Sequence, residues 1–176
     1  MRRALFATTL TLLIGSEALA RTAPSAPAGS CPAIPVAPPS ELAGWSAAQP
    51  ALAATDPVSA AKSRVTDGKA IEARLNKREA LRFVPQPEKA GGSESYGGLF
   101  AFPVKTAGTY RIALGAAAWV DVVIDGKAVA STAHGHGPAC TGIRKMVDFS
   151  LTKGEHLIQI AGSATPTIRL LAVRLP

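Results

Sequence analysis

Two histidines placed two positions apart are the residues of this chain best suited to bind a metal ion. His134 and His136 belong to the run His-Gly-His-Gly-Pro-Ala-Cys. Side chains two positions apart project from the same face of an extended strand, so both rings could reach one ion. A non-haem iron oxygenase also requires a carboxylate ligand and open coordination positions. Because Gly137 and Pro138 follow the second histidine, we predict no cofactor and an exposed, glycine-rich loop, with iron or zinc at the two histidines as the alternative.

An aromatic ring beside a carboxylate forms a second candidate site. Trp119 and Asp121 share the predicted outward face of residues 119–124, whose other face is aliphatic. Proteins commonly hold a sugar with its apolar face on an aromatic plane and its hydroxyls on an acid. The alternative is that Trp119 only covers a sheet end. Arg144, Lys145 and the two histidines could form an anion site, with a solvated edge as the alternative. We predict no catalytic residue, and five residues that bind a ligand: Trp119, Asp121, His134, His136 and Arg144.

The two cysteines, Cys31 and Cys140, are predicted to form one disulfide bond. Disulfides persist in oxidising compartments, and the start of the sequence indicates export. The bond would fasten the N-terminal part of the chain to the histidine-containing loop. A catalytic or metal-binding thiolate at Cys140 is the alternative.

Short alternating segments separated by glycine-containing turns fill the sequence from residue 69 onward. This pattern predicts an all-β domain with nine strands, arranged as a two-sheet antiparallel β-sandwich that is jelly-roll-like. The predicted strands are 70–75, 81–84, 98–104, 109–114, 119–124, 127–131, 144–151, 155–160 and 167–173. Asp125-Gly126 is the strongest hairpin signal. The predicted core residues share the inward face of their segments: Tyr110, Ile112, Leu114, Val120, Val122, Ile124, Val147, Phe149, Ile158 and Ile160.

The predicted strand order also brings the candidate residues together. Residues 119–124 and 127–131 should form a hairpin, so the second strand returns to the end where Trp119 lies. The loop 132–142 then leaves from that end. We therefore predict that the tryptophan and the two histidines belong to one shallow surface.

The chain divides into three predicted regions. Residues 1–20 have the layout of a cleavable signal peptide, with Arg2 and Arg3, an apolar run and a small-residue end at Ala20. The apolar run is shorter than the about 20 residues that cross a bilayer, so we predict no transmembrane segment. Residues 21–68 form a Pro/Ala-rich arm with a short helical turn at 58–64, and residues 69–176 form the sandwich. The predicted location is periplasmic or secreted.

The distribution of the basic residues argues against a nucleic-acid partner. The chain of 176 residues carries 19 Lys and Arg against 12 Asp and Glu, a formal net charge of +7. The loose basic cluster at 62–82 is interrupted by acidic residues and lacks interleaved aromatic residues, which nucleic-acid modules use for stacking. We interpret it as a solvated face.

Several runs resemble a family of small exported bacterial proteins without an established activity, which automated naming has often labelled homogentisate 1,2-dioxygenase. They are YGGLF at 96–100, GTYRIAL at 108–114, AWVDV at 118–122, HGHGPAC at 134–140 and GIRK at 142–145. The resemblance covers about residues 97–175, and the label implies an iron oxygenase at the histidine run. True homogentisate dioxygenases are similar to cupins, whose motif places a Glu shortly after the second histidine, and are far longer. The strand pattern also resembles jelly-roll carbohydrate-binding modules at the level of fold.

The sequence therefore favours an exported, non-catalytic β-sandwich that binds a glycan or another cell-envelope component. One alternative is a metal-dependent oxygenase using His134 and His136. The second alternative is a structural envelope protein whose Pro/Ala-rich arm docks to a partner.

Overall fold

The computed structural model describes residues 31–32 and 36–176. The predicted signal peptide and part of the predicted arm lie outside the described residues. Eleven strands run through the described part: β1 (Gln49–Leu52), β2 (Ile71–Arg74), β3 (Asn76–Lys77), β4 (Tyr96–Val104), β5 (Gly108–Leu114), β6 (Trp119–Ile124), β7 (Lys127–Ala128), β8 (Ser131–Gly135), β9 (Lys145–Leu151), β10 (Gly154–Ser163) and β11 (Thr167–Arg174).

The strands form two sheets. The first sheet has the order β1-β2-β11-β5-β9-β8, and the second has the order β3-β4-β10-β6-β7. All strand pairs are antiparallel except β1 with β2. The orders β2-β11-β5-β9 and β4-β10-β6-β7 are those of a jelly roll, in which the chain repeatedly crosses between the two sheets. The predicted all-β sandwich is therefore confirmed.

The core lies between the sheets because alternate residues of facing strands point inward. Nine of the ten predicted core residues are buried, and Ile124 is partly buried because β6 ends there, at the Asp125-Gly126 turn. Phe102 and Tyr110 pack edge to face, with ring centres 5.5 Å apart. The Tyr110 hydroxyl donates a hydrogen bond to the Thr106 carbonyl at 2.8 Å, so its polar end is satisfied.

Two predicted segments differ from the structure. Residues 81–84 were expected to form a strand, but their backbone is irregular. Leu81 and Phe83 are nevertheless buried, because they pack on the outer face of the second sheet. The return strand expected over 127–131 ends at Ala128, and residues 131–135 cross to the edge of the first sheet as β8.

Short 3₁₀ segments precede the long strands, at Ser40–Ala47, Ser59–Lys62 and Arg78–Ala80. The second falls within the helical turn predicted at 58–64. Leu42 and Trp45 of the first segment are buried against the outer face of the first sheet. No helix in the described part of the chain has the length and hydropathy that a membrane crossing requires.

Candidate functional site

An open stretch of sheet edge creates the candidate site. β7 pairs with Val123 and Ile124 of β6, and the Val129 amide adds one hydrogen bond to Val122 at 2.8 Å. The chain then crosses to the first sheet. Within the described residues, no strand therefore lies on this side of residues 119–121, and a cleft of about 680 Å³ opens there. We call it the tryptophan cleft; its charged, aromatic and imidazole lining residues are Glu88, Lys89, Trp119, Asp121, His134, Lys145 and Phe149.

The indole and carboxylate predicted to act together are hydrogen-bonded. Trp119 Nε1 donates to Asp121 Oδ1 at 2.9 Å, so the aromatic plane and the acid are held in one orientation. Burial raises the pKa of the Asp121 carboxyl above its ordinary value, whereas the hydrogen bond from Trp119 acts in the opposite direction. Both side chains are half-buried. Trp119 also packs on the outer cluster of the second sheet that contains Leu81 and Phe83, which fixes the indole without removing it from the cleft.

Two lysines from different parts of the fold approach the Trp119 ring. Lys89 Nζ lies 5.2 Å and Lys145 Nζ 5.5 Å from the ring centre, within the range of a cation–π interaction. Lys145 lies two positions before Val147 on β9, so the two side chains point to the same, inward face of the sheet. The Lys145 side chain reaches across the end of the sandwich, and its Nζ donates to the Ala118 carbonyl at 2.9 Å. Burial, together with the charge of Lys89, lowers the pKa of Lys145.

The two histidines and Arg144 line an adjoining cleft of about 230 Å³, which we call the histidine cleft. His134 lies on β8 opposite Val147 of β9, and His136 directly follows the last residue of β8. All three side chains are exposed. His134 and Lys145 line both clefts. The structure therefore brings the five predicted ligand-binding residues to two neighbouring clefts at one edge of the sandwich.

The side chains around His134 and His136 determine whether these histidines can bind a metal ion. Among the described residues, no group of three His, Cys, Asp or Glu side chains is placed to hold a metal ion. His136 Nδ1 lies 3.3 Å from the Arg144 carbonyl oxygen. The remaining histidine, His156, is buried in the sandwich, with Nε2 at 2.7 Å from the Thr152 carbonyl oxygen. The donor set that the described residues form around His134 and His136 thus lacks the carboxylate ligand that an iron oxygenase site requires.

The disulfide between Cys31 and Cys140 is present, with Cα atoms 5.3 Å apart, inside the roughly 4.4–6.8 Å range of disulfide geometry. Cys140 belongs to the connection between β8 and β9, so the bond fixes the loop that follows the histidines. Two further contacts hold the same loop. The Val36 amide donates to the Cys140 carbonyl at 2.9 Å, and Trp45 Nε1 donates to the Thr141 carbonyl at 3.1 Å.

Lys89 is the site residue that sequence reasoning missed. It lies in a polar, glycine-containing stretch thirty positions before Trp119, and no local pattern connects the two. The sequence predicts Lys145 only as part of an anion site with Arg144 and the histidines, because its approach to Trp119 depends on the distance between the sheets. Comparisons of the chain with protein-family models, curated proteins and solved structures gave no match.

Proposed function

We propose that the protein is an exported, non-catalytic β-sandwich that binds a saccharide of the cell envelope in the tryptophan cleft. Trp119 supplies the aromatic surface for the apolar face of a sugar ring, and Asp121 accepts hydrogen bonds from its hydroxyls. His134, His136 and Arg144 contact a neighbouring unit of the same saccharide from the histidine cleft. A periplasmic or secreted location belongs to this proposal, and the disulfide supports it because such bonds persist in oxidising compartments.

One observation carries the proposal: the hydrogen bond between Trp119 and Asp121 beside an open sheet edge. Sugars present apolar C–H surfaces and hydroxyl groups together, so they require a ring and a polar group in fixed relation. A tryptophan that only covered a sheet end would also need an acceptor for Nε1, but a neutral oxygen would satisfy it without the cost of desolvating a carboxylate. The Asp121 carboxyl also has a raised pKa through burial, as is frequent in functional sites.

Two other carboxylates of the sandwich, Asp148 and Glu155, have structural partners. Asp148 forms a two-point ion pair with Arg111 on the adjacent strand, with both nitrogen–oxygen distances 2.8 Å. Glu155 pairs with Arg64 at 2.9 Å. Glu88 shares the tryptophan cleft with Asp121, but it lies exposed on a loop. These placements favour binding over the two-carboxylate chemistry of glycosidases.

The test is a glycan array of envelope polysaccharide fragments, followed by titration calorimetry on each hit. Trp119→Ala should reduce affinity about fivefold or more, because stacking of one nucleobase on an aromatic ring contributes roughly 1–3 kcal/mol and we expect a sugar face to contribute a similar amount. Trp119→Phe keeps a ring but loses the donor to Asp121, and it should have an intermediate effect. Leu52→Ala is the matched control, since Leu52 is 70% exposed on β1 in the first sheet.

Three results would contradict the proposal. One is the absence of any saccharide ligand for the parent protein. Another is shortening of the bound saccharide, detected by mass spectrometry and abolished in Asp121→Asn or Glu88→Gln, which would make the protein an enzyme. The third is one iron or zinc per chain in tag-free protein that is lost together with a turnover in His134→Ala, which would favour the metal-dependent oxygenase.

A further inference from the structure

The tryptophan cleft gathers positive charge from separate elements. Lys89 lies in the loop before β4 of the second sheet, and Lys145 is the first residue of β9 in the first sheet. Both ammonium groups lie between 5 and 6 Å from the Trp119 ring centre. The histidine cleft adds Arg144 beside Lys145. Because His134 and Lys145 line both clefts, the three cations lie along two adjoining clefts.

The two lysines of the tryptophan cleft are not held in ion pairs, although Glu88 and Asp121 line the same cleft and the charge of Asp121 acts to raise the pKa of Lys145. Within the part of the chain that the structure describes, neither Lys89 nor Lys145 forms an ion pair. The Lys145 ammonium donates to the Ala118 carbonyl and has two further N–H donors. The charge of Lys89 contributes to lowering the pKa of Lys145, so the two ammonium groups repel each other. An anionic group between them would relieve this repulsion.

We propose that the saccharide bound in the tryptophan cleft is acidic, and that the ammonium groups of Lys89 and Lys145 bind its uronate carboxylates. This inference rests on the function proposed above. Glu88 and Asp121 line the same cleft, so it suits charges that are separated by hydroxyl groups. A uronate oligomer and a nucleic acid both carry a charge at every unit, but each uronate ring also has free hydroxyls that can donate to Glu88 and Asp121. The deoxyribose-phosphate backbone of oligothymidylate has no such donors between its phosphates.

The experiment compares acidic tetrasaccharides with their own methyl esters, which keep the sugar rings but remove the charge. The panel consists of oligomers of galacturonate, guluronate, mannuronate and glucuronate, with neutral galactose and glucose oligomers and single-stranded oligothymidylate. We expect at least one uronate oligomer to bind about tenfold or more tightly than its ester. Sodium chloride should weaken only the binding of the acid, because added salt screens charge.

Single lysine variants identify the site. Lys89→Gln and Lys145→Gln should each weaken acid binding about tenfold, near the lower end of the range for a hydrogen bond to a charged group, because Lys89 is exposed and Lys145 only half-buried. Lys153→Gln removes the same charge from the turn after β9, at the other end of that strand from Lys145. It should leave affinity unchanged.

Each alternative outcome overturns a different statement. Equal binding of acid and ester, or of a neutral oligomer, overturns the acidic specificity and leaves saccharide binding in place. Acid binding that is unchanged in both site variants overturns the assignment to the two lysines. Tighter binding of oligothymidylate than of any saccharide, or no saccharide binding at all, overturns the proposed function and this inference with it.

Discussion

Asp121 illustrates how a residue of a proposed binding site can lower the stability of the fold that holds it. Its carboxyl is half-buried, accepts the Trp119 indole N–H and lies in the same cleft as a second acid, Glu88. Burial raises its pKa, and the charge of Glu88 acts in the same direction. The folded protein therefore binds this proton more tightly than the unfolded chain does. Its contribution to stability falls as the pH rises through the raised pKa.

Replacing Asp121 with Asn should consequently stabilise the protein at neutral pH. Asn keeps an oxygen acceptor for the indole but carries no charge to desolvate. We expect Asp121→Asn to melt about 1–3 °C above the parent near pH 7, with the difference disappearing near pH 3, where both side chains are neutral. Affinity for the saccharide should decrease in the same variant.

Differential scanning fluorimetry across this pH range measures the effect. Asp125→Asn is the matched control, because Asp125 is exposed in the β6–β7 turn and Asn tolerates its positive φ of 48°. A gain that grows as the pH falls would show that the sign assigned to Asp121 is wrong.

The sequence predicts a strand well where buried and exposed residues alternate along it. β6 has the predicted bounds, and β5, β9 and β11 begin or end within about one residue of prediction, because their inward and outward positions differ in polarity. β8 could not be predicted, since all five of its residues are exposed. A strand at a sheet edge without a buried face has no periodic signal. The prediction that Trp119 and the histidines lie at one edge followed from the hairpin at Asp125-Gly126, although the chain crosses between the sheets earlier than expected.

Lys89 marks the limit of that reasoning. It reaches Trp119 because Leu81 and Phe83 attach the preceding segment to the outer face of the second sheet. The Gln159 side chain holds the same segment, accepting from the Val84 amide at 3.0 Å and donating to the Pro85 carbonyl at 3.1 Å. Such contacts join residues more than seventy positions apart, and no spacing in the sequence encodes them.

Buried residues that are paired across β5 and β9 contribute to the stability of the sandwich. Ile112 lies opposite Val147, and Phe149 lies opposite Tyr110, across the β5–β9 pair. Ile112 is 0% and Phe149 2% exposed. Ile112→Ala and Phe149→Ala should each lower the free energy of unfolding by about 2–5 kcal/mol, because each leaves a cavity as well as removing apolar contact. Urea denaturation provides the measurement, with Leu52→Ala as the exposed control. If both core variants unfolded like the parent, the inward faces of β5 and β9 would be misassigned.

The topology and the disulfide act together on the site. The jelly-roll order separates β6 and β9 into different sheets but brings their ends to one edge, where residues distant in sequence share the two clefts. The connection from β8 to β9 then has to close over this edge without a regular element of its own. Cys140 adopts a positive φ of 62° within it, a conformation that costs a non-glycine residue roughly 1–2 kcal/mol. The disulfide and the contacts of Val36 and Trp45 hold the loop in place.

Loss of the disulfide should therefore affect both the stability of the chain and the order of the histidine cleft. The bond spans 109 residues of sequence. The chain-entropy model assigns about 4–5 kcal/mol to a loop of this size, and measured gains are usually smaller, near 2–4 kcal/mol. We expect the double variant Cys31→Ser/Cys140→Ser to lose about 2–4 kcal/mol of unfolding free energy. Hydrogen exchange should accelerate at residues 136–143, while the β5–β9 pair stays protected, because the core contacts of those strands do not involve the bond.

The parent protein supplies its own control for this prediction. A reductant should lower the unfolding free energy of the parent to the level of the double variant and leave the variant unchanged, since only the parent has a bond to break. Saccharide affinity should fall in both cases, because His136 and Arg144 flank the released loop. Alkylation without reductant that labels both cysteines in protein taken from the cell envelope would show that the bond does not form there. Equal unfolding of parent and variant under oxidising conditions would contradict its role in stability, because a closed bond between Cys31 and Cys140 restricts the unfolded chain whatever the loop contributes.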